Sequence, residues 1–141
     1  MKHIAFTGTQ RGMTDEQERT LPNVLCAVCS VGDWFHHGDC IGADAQAHQH
    51  AKMAALRTHV HPCNIPTKRA FCIGDAASPV APPLDRNRVM VDLSYALIAT
   101  PKSMVEELRS GTWATIRYAR KRGVPVHIIW PDGQYVPPPP R

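Results

Sequence analysis

Short apolar runs alternate with longer polar or alanine-rich stretches from one end of the chain to the other. Residues 3–7 (HIAFT), 34–37 (WFHH), 59–61 (HVH), 95–100 (YALIAT) and 124–130 (VPVHIIW) read as strands. They are too short for helices and apolar at successive positions, as strands covered on both faces are. Helical stretches lie between them. Thr14 opens the first, with Gln17 three residues on in the spacing of a capping box. Pro22 falls inside it and predicts a kink or break near Thr20. Residues 43–57 (ADAQAHQHAKMAALR) are strongly helix-forming. Residues 85–93 read as another helix, and a last one runs from Thr112 to about Arg122, with Gly123 as its C-cap.

Strands alternating with helices imply parallel strands joined by crossover helices. The predicted fold class is therefore α/β, three layers around a central, mostly parallel sheet of about five strands. Residues 1–133 form one predicted domain, and residues 134–141 a proline-rich tail expected to be extended and poorly ordered. Residues 64–83 hold four of the 13 prolines and read as a long surface loop, with one turn of helix near residues 68–72. Such a loop is either a functional lid or a mobile connection.

Composition narrows the class. The chain has 141 residues and is 43% hydrophobic, which suits a single domain with its own core. No stretch approaches the ~18 apolar residues of a membrane span. The opening MKHIAFTG is too brief for a signal peptide, so a soluble cytoplasmic protein without membrane contact is expected. Five cysteines, an odd number, argue against a disulfide framework. Cys26 and Cys29 make half a zinc site that His61 and Cys63 could complete on paper, but their apolar helical setting fits buried thiols better. His36, His37, His50, His59 and His61 show no ligand-like spacing, and no metal or cofactor is expected. The formal charge of +4 fits an anionic small ligand as well as nucleic acid.

Candidate chemistry gathers at three strand-to-helix junctions: residues 7–12 (TGTQRG), 37–44 (HGDCIGAD) and 109–115 (RSGTWAT). In a parallel sheet these loops collect along one edge, where ligands bind at the reversal of strand order. A helix N-terminus offers free N–H groups and partial positive charge, and glycine and hydroxyl residues let a phosphate approach. None of the three is a standard phosphate loop, dinucleotide fingerprint or nucleophile elbow.

The runs HGDCIGADAQAH, RNRVMVDLSYALIAT and SGTWATIRYA, in this order, resemble the SLOG superfamily over residues 3–132. That family includes nucleotide-sensing domains, the Rossmann domain of DNA-processing protein A and the cytokinin-activating phosphoribohydrolases. The resemblance implies a Rossmann-like fold, pairing into a homo-oligomer, and a ligand held by particular residues. Gly38, Gly42, Ala43, Asp44 and His48 match its G-x-x-x-G-[AI]-D-x-x-x-H element. Arg86 and Asn87 match its R-N pair, and Ser110, Gly111 and Thr112 its phosphate-binding turn. Thr7, Gly8 and Thr9 resemble its first loop, and Pro131, Asp132 and Gly133 its closing P-x-G. Thr115 stands where the hydrolases carry a catalytic glutamate, and S-G-T-x-x-T is closer to the DNA-processing pattern. Glu106 and Glu107 lie in the preceding loop.

The expected ligand site thus comprises Thr7, Gly8, Thr9, Arg11, Gly38, Asp39, Gly42, Ala43, Asp44, Arg86, Asn87, Ser110, Gly111, Thr112 and Thr115, with a nucleotide-like, phosphate-bearing molecule as the ligand. Asp39 and Asp44 are the candidate catalytic carboxylates for a rival reading, hydrolysis of an N-glycosidic bond. A third reading is single-stranded DNA binding, which the low charge weakens. Asp44 also suits a helix start electrostatically, and His48 four residues on is placed for an Asp–His hydrogen bond or a buried structural role. Arg86 is suited to phosphate, or to a salt bridge with Asp85 or Asp92. Arg109 adds charge to its junction, and Trp113 reads as core.

Overall fold

Ile4, Ala5 and Phe6 are fully buried, which places β1 (His3–Gly8) at the centre of the sheet. The computed structural model describes residues 1–140; Arg141, the last residue of the proline-rich tail, lies outside them. In chain order the elements are β1, α1 (Asp15–Val28), β2 (Trp34–His37), α2 (Ala43–Met53), β3 (Arg57–Val60), β4 (Ala76–Ala77), α3 (Pro83–Asp92), β5 (Ala96–Thr100), α4 (Gly111–Lys121), β6 (Val126–Ile129) and β7 (Tyr135–Val136). The sheet order is β4-β3-β2-β1-β5-β6-β7. Among the described residues only β7 runs antiparallel, against β6. The strand order reverses between β1 and β5, the place where such sheets bind ligands.

The sheet divides two cores. Ile4 and Phe6 join Phe35 and Ile98 under α1 and α2. Ala5 points the other way, to Leu97, Ala99 and the buried faces of α3 and α4, where Trp113 packs as expected. Among the described residues no helix is long and apolar enough to cross a membrane.

The five expected strands are present, with ends shifted by up to two residues, and two pairings extend the sheet. One is β7: Tyr135 and Val136 pair with Ile129 and Ile128, so the tail begins as a strand instead of hanging free. The other is β4, inside the proline-rich loop, which pairs with β3. The turn expected near residues 68–72 is a 3-10 turn at Pro66–Lys68.

The break expected near Thr20 does not occur. α1 runs unbroken through Pro22. A proline inside a helix costs ~3 kcal/mol. Against this stand the buried side chains of Leu21, Val24 and Leu25, each contributing ~1.5–3 kcal/mol. The Thr14–Gln17 capping box forms as expected. The Gln17 amide also donates to the carbonyls of Pro101 and Ile129, tying α1 to the ends of β5 and β6.

Six histidines in β1–β3, α2 and the residue just past β3 are one another's partners. His3 Nδ1 meets His36 Nε2 at 2.8 Å, and His36 Nδ1 meets His61 Nε2 at 2.8 Å. His59 stacks on His61 with ring centroids 4.3 Å apart, and His37 Nε2 lies 2.8 Å from His48 Nδ1. Burial first, then neighbouring imidazoles, pushes His36, His37 and His61 down to about 3, Arg86 adding to the push on His37 and His61. The unfolded chain takes up protons on these groups near pH ~6.5, and the folded chain does not. Their contribution is therefore present above ~6.5 and is lost as pH falls toward 3. Asp44, raised to about 6, works in the opposite sense between 6 and 3.8, one group against three. Thermal unfolding should show the melting temperature falling steadily as pH drops from about 6.5 to about 4. A flat profile over that interval would refute this account.

Candidate functional site

The C-terminal ends of β1 and β5 open into a crevice of about 350 Å³, within the usual range for small-molecule sites. All three glycine-bearing junctions contribute to it: Thr7, Gly8 and Thr9 from the first, Asp44 from the second, Ser110, Gly111 and Thr112 from the third. Arg86 and Asn87 reach it from α3.

Ser110 is the N-cap of α4, its hydroxyl oxygen accepting from the Trp113 N–H at 3.3 Å. Among the described residues, no group accepts from the N–H of Gly111 or Thr112. A Cβ added to Gly111 would meet nothing within 4 Å, so the space over this turn is open. The helix thus presents free donors and the positive end of its dipole to the crevice. Lys68, Lys102 and Arg109 add charge at the rim. Lys102 has a loose ion pair with Glu107 at 3.7 Å. Glu106 is bound to Arg117 at 2.8 Å.

The second junction is held by its own side chains. Asp44 Oδ2 accepts from the Gly38 and Cys40 N–H groups, each at 3.1 Å. Burial raises the Asp44 carboxyl to about 6, against the opposing pull of those donors and of Arg86. Of the two roles open to His48, the structure has the buried structural one: it pairs with His37, and the Asp44–His48 bond does not form. Gly42 has φ +87° and its Cα faces the Gln10 carbonyl, so a side chain there would be strained and blocked.

Arg86 is neither a free phosphate clamp nor a partner of Asp85 or Asp92. Its guanidinium is buried and donates through Nη1 to the carbonyls of Gly38 and His61, through Nε to Pro83 O at 3.3 Å, and through Nη2 to Cys40 Sγ at 3.7 Å. Nη2, with only the thiol, is the donor still available to a ligand. A Cβ on Gly38 would collide with the guanidinium, which explains the glycine there. Asp92 bonds Tyr118 and Arg122 instead.

Several expected residues stand back from the crevice. Asp39 is fully buried at φ +57°, turned away to the proline-rich loop, where it pairs with Arg69 at 3.0 Å and accepts from the Cys72 N–H at 2.8 Å. Thr115 is buried and donates to the Gly111 carbonyl at 2.9 Å. Gly38, Gly42 and Ala43 shape the second junction without lining the crevice, and Arg11 is exposed beside it. Lys68, Lys102 and Cys40 line it but were not singled out by sequence. Lys102 had a signal, its place two residues past a strand end. Lys68 had none, because a long loop carries it in. Burial lifts the Cys40 thiol to about 11, with Asp44 adding to the shift, so it is not a thiolate nucleophile at neutral pH.

Donor atoms of His37, His48 and Cys72 come within 4.8 Å of one another. The Asp39 N–H donates to His37 Nδ1 at 3.0 Å, which keeps the ring proton on Nε2 and leaves no lone pair there for a metal. Cys26 and Cys29 belong to no ligand-like cluster among the described residues.

No family model matches the chain, and no curated protein matches it. Solved structures do. The molybdenum cofactor binding protein from the phototrophic bacterium Rippkaea orientalis is similar over 92% of this chain and 77% of its own, with a TM-score of 0.64 and 22% identity. TM1055, a structural-genomics target, is similar over 89% of this chain and 72% of its own, with a TM-score of 0.66 and 16% identity. At these identities the likeness establishes one thing, a shared Rossmann-like fold.

Proposed function

We propose that this protein binds a nucleotide-like, phosphate-bearing small molecule in the crevice between the ends of β1 and β5, as a sensor or sequestering protein. The observation that carries this reading is the open first turn of α4 beside Lys68, Lys102 and Arg109, across a cavity with one lining carboxylate, Asp44. Free helix N–H groups and nearby cations favour an anion, and the hydroxyls of Thr7, Thr9 and Thr112 add donors at the same place. The SLOG-like motifs agree with this placement. The structural relative described as binding the molybdenum cofactor adds that cofactor to the ligands worth testing.

A second reading is favoured by one observation. Asp44 lines the crevice and is raised to about 6, the range of a working general base. In this reading the protein hydrolyses an N-glycosidic bond, with Asp44 activating water.

A thermal-shift panel of AMP, ADP-ribose, NAD, the molybdenum cofactor and short single-stranded DNA, followed by mass spectrometry of each mixture, tests both. Under the binding reading a small ligand raises the melting temperature and is recovered intact. A ligand at 100 times its Kd adds ~2.7 kcal/mol. No shift with any small ligand refutes the site, and a shift with DNA alone moves it to nucleic acid.

Lys102 and Arg109 are both exposed. Alanine at either should leave the metal-free, ligand-free melting temperature unchanged. Each should weaken binding of the panel's best ligand by roughly 5- to 10-fold, about 1–1.4 kcal/mol. Wild-type affinity in both variants would place the anion elsewhere.

Under the hydrolytic reading, turnover needs the ionised Asp44 carboxylate, so kcat falls as pH drops through about 6. Asp44→Asn should then abolish base release while the ligand still raises the melting temperature. Base release surviving in Asp44→Asn would remove Asp44 from the chemistry.

A further inference from the structure

His36, His59 and His61 come together on a part of the sheet that the crevice does not use. The pairing of the strands explains how. Ala5 lies in the α3–α4 core and pairs with His36, which pairs with His59 on the next strand, so all three share one face. α4 packs over β5, β6 and β1, which leaves imidazoles to fill the face over β2 and β3. His36 and His61 are buried and His59 is partly exposed, so the cluster has an opening to solvent.

We propose that His36, His59 and His61 form a three-histidine site for a borderline first-row divalent cation of the zinc class. One donor atom from each residue already lies within 4.8 Å of the other two. Imidazole suits zinc, copper and nickel, and the absence of a carboxylate from the trio disfavours magnesium and calcium. Three protein ligands leave a fourth position for water or an outside ligand.

The outer partners fit the same assignment. His36 Nδ1 faces His61 Nε2, and its other nitrogen, Nε2, lies 2.8 Å from His3 Nδ1. With Nδ1 on the metal, the Nε2–H donates to His3, the arrangement that usually fixes a ligating imidazole. Here the contrast with His37 is direct, since neither ring nitrogen of His36 is taken by a backbone N–H donor.

Metal entry requires small movements. His36 Nδ1 and His61 Nε2 stand 2.8 Å apart, held by a hydrogen bond. Two ligands of a tetrahedral zinc ion at ~2.0–2.1 Å stand about 3.3 Å apart. His59 is stacked on His61 with 12° between their planes, and its Nε2 is 2.8 Å from Ser78 Oγ. Stacked rings cannot both aim at one ion, so His59 turns about χ2, a broad torsion, and releases Ser78. The competing account is a metal-free imidazole stack that stays as it is.

Cobalt and zinc separate the two accounts. Full-length protein is stripped of metal and titrated with Co²⁺ under visible absorption, then with Zn²⁺ against a chromogenic chelator. The expected result is one equivalent of Co²⁺ with a tetrahedral-type visible band, displaced by Zn²⁺. His59→Ala should lose the band, and His3→Ala should weaken zinc binding by ~10- to 100-fold. The double variant Cys26→Ser, Cys29→Ser should bind as the wild type does. His59 is partly exposed, and metal-free melting of each variant reports its folding. The wild-type titration decides the case even if a variant misfolds. No visible band with wild-type protein, a band that survives in His59→Ala, or a band lost in the cysteine variant overturns the proposal.

Discussion

The Arg86 guanidinium, buried beneath the ends of β2 and β3, is the contact on which the geometry of this edge depends. A buried charge without partners costs several kcal/mol. Here the cost is offset by carbonyls from three separate segments, Gly38, His61 and Pro83, with Asp44 supplying opposite charge nearby. One side chain from the first turn of α3 therefore fixes where two strands end and where the loop between β2 and α2 begins. That loop in turn presents its Gly38 and Cys40 N–H groups to Asp44. Removing the guanidinium would leave buried carbonyls unpaired, which costs more than the hydrogen bonds themselves contribute.

The same arrangement assigns opposite duties to two aspartates five residues apart. Asp39, at positive φ, turns to Arg69 and the Cys72 N–H and fastens the proline-rich loop to the sheet edge. Asp44, on the first turn of α2, faces the crevice. The loop that looked like a lid or a free connection is thus anchored through Asp39, through the Cys40–Arg69 and Cys63–Ala81 bridges and through β4. It brings Lys68 to the crevice from a position fixed by these anchors.

Local chemistry was legible in the sequence, and distant partnership was not. The Thr14–Gln17 box depends on residues three apart, so spacing alone located it. The three junctions converge because parallel strands force them to, and that followed from the alternation of elements. Pro22 misled because its penalty is local while the packing that outweighs it comes from Leu21, Val24 and Leu25 against the sheet. Arg86 was assigned to phosphate or to a salt bridge because its real partners lie 48 and 25 residues away. The direction of an aspartate in a glycine-rich loop depends on a backbone φ that no spacing reveals.

The histidines extend this point from position to chemistry. Spaced irregularly along the chain, they show no ligand pattern, yet strand register places His36 beside His59 and diagonal to His61. Register also separates two clusters that composition cannot tell apart. In one, the Asp39 N–H fixes the His37 proton where a metal would bind, and the result is a hydrogen-bonded pair. In the other, His36 has a further imidazole, His3, behind it to accept the proton that metal binding would direct there. The difference between a packed imidazole and a ligating one therefore rests on the identity of the group at the second ring nitrogen. In this fold that identity is set by pairing across strands, since His3 comes from β1, His36 from β2 and the Asp39 N–H from the loop that Arg86 holds in place.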